Sequence, residues 1–165
     1  MPATYEPIAR TIVSGGSTNT INFSSFGGYT DLIMTCTGTM SGSLGYFYIR
    51  FNSNTDTGNY GQLRSLAYSG GTLSDSTNSA GYFDATVGND SAKTGSLKFI
   101  IPQYTDTNSW KYANMWQSDG AGGVNHQTDF YAGGPAALTS IHLFTPASNF
   151  FADGFIVALY GLLAA

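Results

Sequence analysis

Apolar and polar residues alternate with a period of two through most of this chain, which leaves extended strands as its main building element. In LGYFYIRFN, Phe47, Ile49 and Phe51 alternate with Tyr46, Tyr48 and Arg50, so one face is apolar and the other amphipathic. DLIMTCTG repeats the pattern with Leu32, Met34 and Cys36, and SLKFIIPQY with Leu97, Phe99 and Ile101 against Lys98 and Ile100. Pro102 ends that run because it has no amide hydrogen for the ladder. LTSIHLF sets Ile141 and Leu143 opposite His142, whereas DGFIVALYG is apolar on both parities and predicts a strand covered on both faces. TYEPIARTIV, NTINFSS, GQLRSLAYS, SAGYFDATVG, WKYANMWQS and NHQTDFYAG are further strand candidates.

Clusters such as SGGST, TGTMSGS, NSNTDTGN, SGGTLSDSTNS and SDGAGG separate these runs. Their Gly, Asn, Asp and Ser residues supply positive φ or local side-chain bonds, so they predict turns. No segment carries a capped helical period; GGPAALTSIHLF leaves room for one short helical turn opening at Pro135. About ten short strands at this spacing predict an all-β fold, an antiparallel β-sandwich of jelly-roll type with little or no helix. The absence of a linker or repeat predicts one domain over residues 1–165.

Composition narrows the function classes. Charged residues make up 10% of the chain, and Gly, Ser, Thr and Asn about two-fifths of it. The surface is therefore built from hydroxyls and amides, as on many secreted or particle-borne β proteins. Six basic residues and a net charge of −4 leave no electrostatic footprint for nucleic acid. No apolar run reaches the roughly 18 residues of a membrane span. The opening MPATYEPIAR lacks the order of a signal peptide, so synthesis in the cytoplasm is expected. The single cysteine, Cys36, excludes an internal disulfide and reads as a small buried residue.

Few residues suggest chemistry. In RFNSNTDTGNY, Asn52, Asn54 and Asp56 alternate ahead of Gly58, like half of a calcium loop. The glycine falls one place late, and the twelfth position, where a bidentate glutamate belongs, is Leu63. A bridging loop held by Asx turns is expected instead, with Arg50 bonded to loop carbonyls or paired with Asp56. His126 and His142 are far apart and lack zinc spacing, and no nucleophile elbow or phosphate loop is present. The expectation is a protein that is not an enzyme and needs no metal or other cofactor. What stands out is the supply of aromatics opposite the apparent core faces: Tyr46, Tyr48, Tyr160, Trp110 and Trp116. Such rings suit a subunit interface or a sugar-stacking surface.

Several strings together, PATYEPIARTIV, INFSSFGGYTDLIM, YIRFNSNTDTGNYG, SWKYANMW and SIHLFTPASNFFADGFIVALYG, resemble a small jelly-roll family of virion proteins in tailed bacteriophages, especially cyanophages. The likeness runs nearly end to end, though this chain continues past LYG with Leu162–Ala165. It implies a capsid decoration (cement) subunit, a homotrimer on the virion's outer surface that binds the major capsid protein. On that reading Tyr46, Tyr48, Tyr160, Leu162 and Leu163 are the candidate interface. The alternative it implies is a tail-fibre module recognising host glycan, with Trp110, Tyr112, Trp116, Asp56 and Asp119 as contacts. No attachment stalk is visible before Tyr5, which favours decoration. The resemblance carries no catalytic residue, and neither reading involves nucleic acid or a membrane.

Overall fold

The computed structural model describes residues 4–42, 45–67, 73–87, 93–147 and 149–163. The expected alternation becomes fourteen strands among these residues, and the one helical element is a 3-10 turn at Thr57–Asn59. All pairings are antiparallel.

An eight-stranded sheet runs in the order β1 (Tyr5–Ile12), β14 (Ile156–Leu162), β3 (Asp31–Gly38), β9 (Gly95–Ile101), β10 (Lys111–Ser118), β11 (Val124–Tyr131), β6 (Tyr60–Ala67), β7 (Leu73–Ala80). A four-stranded sheet runs β2 (Thr20–Ser24), β12 (Ser140–Phe144), β5 (Tyr46–Phe51), β8 (Phe83–Thr86). A two-stranded ribbon joins β4 (Met40–Ser41) to β13 (Phe150–Phe151). This is an antiparallel β-sandwich of jelly-roll type.

The core follows from the period of two. Phe47, Ile49 and Phe51 of β5 point at Met34, Leu97, Phe99 and Met115 of the large sheet, within one continuous buried cluster. Aromatic rings knit the layers, and Phe51 packs at centroid distances of 5.2 Å from Phe83, 6.0 Å from Phe99 and 5.7 Å from Tyr131. The Cys36 thiol lies in this cluster, where burial raises its pKa and leaves it a small apolar group.

The inner face of the large sheet is wider than the small sheet that covers it. Where β8 forms the small sheet's edge, the large sheet presents amides instead of aliphatics. The Thr86 amide donates to Gln117 Oε1 at 2.6 Å, and Gln127 Nε2 donates to the Asp84 carbonyl at 3.0 Å. Gln62 Nε2 also reaches the Asp84 carbonyl, at 3.3 Å. The buried carboxylate of Asp129 accepts from Gln62 at 3.1 Å and from Gln127 at 2.9 Å. Side chains thereby satisfy the outward backbone groups of an edge strand, which a further strand would otherwise pair.

Two expectations are corrected. The polar segment SGGTLSDSTNS is not simply a turn, because Leu73–Ala80 forms β7. Among the described residues it pairs with β6 alone, at the edge of the large sheet, where a strand needs no apolar alternation to join the ladder. No helical turn opens at Pro135; Asn52 holds that segment extended by donating to the Ala137 carbonyl and accepting from the Thr139 and Ser140 amides. The apolar C-terminal run is docked, with β14 paired to β1 and β3 on its two sides. Ala164 and Ala165 lie outside the described residues.

Gln127→Leu should lower unfolding free energy by about 1–3 kcal/mol, because it removes one of the two glutamine donors to the Asp129 carboxylate and the Asp84 carbonyl, and the acceptor of Gln117 Nε2. Urea denaturation is the measurement, and an unchanged m-value with a lower midpoint is expected.

Candidate functional site

The even-numbered residues of β10 point away from the core. Tyr112 and Trp116 stand 48% and 43% exposed, and Trp110, just before the strand, 63%. Along a strand, four residues span about 13–14 Å, so Tyr112 and Trp116 are separated by roughly that distance. Register then brings the neighbouring strands into one face. Trp116 is opposite His126 of β11 on one side and Lys98 of β9 on the other. Lys98 in turn pairs with Thr35 of β3, Thr35 with Ala158 of β14, and Ala158 with Arg10 of β1. The Trp116 and His126 rings stack at 5.0 Å with a 26° interplanar angle.

These residues border an open groove of about 690 Å³, lined by Thr35, Thr37, Ser96, Lys98, Trp116, Ser118, Val124, Asn125 and His126 among others. Its outward-facing lining is the hydroxyls of Thr35, Thr37, Ser96 and Ser118, the Lys98 ammonium, Val124 and the Trp116–His126 stack, and most of the lining surface is apolar; the amides of Asn125 and Gln117 are on the core-facing parity, bonded to Gln127. Further along the same face Tyr112 pairs with Phe130, itself 49% exposed. The Phe130 ring lies across β6 at Gly61, where a Cβ would fall 1.9 Å from the ring carbon Cζ. Glycine at 61 is therefore what lets the ring lie flat on the sheet.

The structure sets most of the expected glycan residues along β10 and at its end, and Asp56 in a different loop. Tyr112 and Trp116 share the outer face of β10, with Trp110 two residues upstream of Tyr112. Asp119 sits in the β10–β11 turn, where its carboxylate accepts from the Ala121 and Gly123 amides at 2.7 and 2.8 Å. Asp56 is in the loop after β5 and accepts from Asn59 Nδ2 at 3.3 Å. Lys98, His126 and Phe130 complete the face and were not singled out from the sequence. Their only early signal was being on the polar parity of their strands.

The candidate interface residues fall on two opposite faces. Tyr160 and Leu162 belong to β14 in the large sheet, and Leu163 follows it, its amide bonded to the Thr4 carbonyl at 3.3 Å. Tyr46 and Tyr48 lie on the outer face of the small sheet. There they form a half-buried aromatic cluster with Tyr82 and Phe144, and Tyr48 lies 3.8 Å from Tyr82 and 5.1 Å from Phe144. Burial, reinforced by hydrogen bonds to Tyr82 and Tyr46, raises the Tyr48 pKa. The Arg50 guanidinium stands 4.3 Å from the Phe144 centroid, a cation–π contact.

The Asn52–Asp56 segment is a corner, not a calcium loop. The Asn52 side chain is engaged with the 137–140 segment, and Asn54 Oδ1 accepts from the Asp56 amide at 2.8 Å. The buried Tyr60 hydroxyl donates to the Asn54 carbonyl at 3.0 Å and accepts from the Phe51 amide at 3.1 Å. Desolvation pushes that phenol up to about 12. Arg50 Nε donates to a loop carbonyl, that of Gly81, at 2.8 Å, and no Arg50–Asp56 ion pair forms. No group of three or more His, Cys, Asp or Glu residues is gathered among the described residues.

No family model matches the sequence, and no curated protein does. Among solved structures, the chain is similar to part of the exo-inulinase of Aspergillus awamori, with a TM-score of 0.52 and 10% identity. The match covers 96% of this chain and 29% of that one, so the chain spans less than a third of the inulinase. A galectin of Caenorhabditis elegans matches over 98% of this chain and 96% of its own, at 15% identity and a TM-score of 0.29, too low to carry anything further. The inulinase likeness supports the β-sandwich architecture and nothing finer.

His142 provides a pH test of the small-sheet cluster. Burial and then the Arg50 charge hold its pKa below the usual histidine value. Protons therefore bind the unfolded chain more readily, so this contribution is complete above the usual value of 6.5 and is lost as pH falls toward the folded value. The thermal midpoint should decline between about pH 7 and pH 5, and His142→Asn should flatten that decline. Differential scanning calorimetry across that range is the check.

Proposed function

We propose that the chain is a non-catalytic glycan-binding β-sandwich module carried on the outer surface of a bacteriophage virion. The observation that carries the binding reading is the exposed aromatic line of Trp116, Tyr112 and Phe130 on one rigid sheet face, beside a groove bordered by Thr and Ser hydroxyls. Sugar rings present apolar C–H faces and a hydroxyl rim. A flat indole or phenol covers the first, and Ser and Thr groups bond the second. The strands hold these side chains in place before binding, which lowers the entropic cost of association. The virion location comes from the sequence resemblance.

Trp116→Ala should weaken binding to host-surface polysaccharide by roughly 30-fold, the loss of about 2 kcal/mol typical of a central aromatic contact. Affinity electrophoresis through gels containing polysaccharide extracted from the host surface reads this directly. Equal retention of the variant and the parent would sink the proposal.

A second reading keeps the chain as a capsid decoration subunit, a homotrimer seated on the major capsid protein. The half-buried aromatic cover of the small sheet, with Tyr46, Tyr48, Tyr82 and Phe144, favours it, because such a surface gains by burial against another subunit. Light scattering should then give three chain masses in solution. Purified virions should carry copies in numbers comparable with the major capsid protein. A monomer present at a few copies per particle would leave the glycan-binding reading alone.

A further inference from the structure

The groove beside Trp116 has a charge as well as a shape. Lys98 stands in its floor as an exposed side chain, cross-strand neighbour to both Trp116 and Thr35. It makes no hydrogen bond or ion pair among the described residues. Of the described residues that line the groove, none is acidic; Asp119 directly follows the lining residue Ser118, and its carboxylate accepts from the Ala121 and Gly123 amides of its own turn. The cross-strand row that contains Lys98 runs Arg10, Ala158, Thr35, Lys98, Trp116, His126 and Ser65, and reaches a carboxylate-bearing position only at Asp75 on β7. That position is four strands from Lys98, about 19 Å at the usual strand spacing. On the other side of the groove, Asp31 of β3 lies four residues before Thr35, about 13 Å along the strand, and it accepts from the Gln103 amide. In a chain with six basic residues and a net charge of −4, an exposed cation in a groove whose described lining carries no carboxylate is a local reversal of sign.

Resting on the glycan-binding reading, we infer that the ligand is an acidic polysaccharide bound along its length, with a uronate carboxylate on Lys98. Trp116 stacks the sugar ring next to that carboxylate, and Ser96, Ser118 and Thr35 meet the neighbouring hydroxyls. The roughly 13–14 Å from Trp116 to Tyr112 exceeds one sugar ring, so the line of aromatics takes several linked residues rather than a terminal one. A lysine recognises the anion as a point charge, without the fixed fork of arginine, and so accepts a carboxylate presented by different sugar epimers.

The test uses the full chain and isothermal titration with linear tetrasaccharides of galacturonate, mannuronate and glucuronate. Each is measured as the free acid and as its methyl ester, which keeps the backbone and removes the charge. At least one free acid should bind about tenfold or more tightly than its ester, the size of a hydrogen bond to a charged group. Lys98→Met should bring the acid down to the level of the ester, so that the difference between the two forms disappears. Trp116→Ala should weaken both forms. The acid preference should shrink as salt is raised, and the monosaccharide should bind far more weakly than the tetrasaccharide. Acid and ester binding equally to the parent chain would overturn the inference while leaving glycan binding in place. No binding of either form by the parent chain would overturn the inference and the glycan-binding reading together. Circular dichroism of both variants separates a lost contact from a lost fold.

Discussion

The contact of Phe51 with rings from both sheets is the interaction on which the rest of the structure depends. Phe51 ends β5, and its ring meets Phe83 from its own sheet and Phe99 and Tyr131 from the opposite one. Truncating such a fully buried ring typically costs about 3–5 kcal/mol, a large share of the stability of a domain this size. The chain reverses directly after it through Asn52 and Ser53, both at positive φ, 52° and 55°. Asn52 then fastens the segment leading into β12, and the Tyr60 hydroxyl closes on the Phe51 backbone from the start of β6. One short stretch therefore sets the crossing from the small sheet to the large one and the spacing between them.

That spacing leaves a problem of area. Eight strands face four, and the surplus inner surface under β10, β11 and β6 is not filled with aliphatics. Gln62, Gln117 and Gln127 occupy it and bond the free edge of β8, and Asp129 accepts from Gln62 and Gln127. A buried amide network of this kind is favourable only when its members are satisfied. It also fixes β8 in register against the large sheet, because Asp84 and Thr86 each meet a particular glutamine. The outer face above this network inherits the rigidity: Trp116 and His126 stand on the same strands whose opposite residues, Gln117 and Gln127, are bonded to one another at 3.2 Å.

Much of the fold was legible in the sequence. The strands read from alternation, β3, β5, β9 and β12, form where the pattern places them, because period-two burial is a property of the strand itself, and the run apolar on both parities forms β14, paired on both sides. β7 was legible only as a polar turn, since an edge strand held by backbone bonds needs no apolar signature. The candidate site was half legible. Tyr112 and Trp116 announced themselves as aromatics on a polar parity. Asp56 and Asp119 are turn carboxylates engaged within their own turns, Asp119 directly after the groove residue Ser118 and Asp56 in the loop after β5. Tyr46 and Tyr160, similar in sequence context, lie on opposite sides of the sandwich.

The sequence by itself determined that the chain is all-β, which residues of each strand face inward, and that its surface is poor in charge. Those follow from local periodicity and composition. Only the tertiary structure decided that Lys98 stands beside Trp116 and Trp116 beside His126, three residues from three strands. Register between strands is a non-local choice. It is set by which apolar faces can be buried together against the small sheet, and a slip of one residue would turn every one of these side chains into the core.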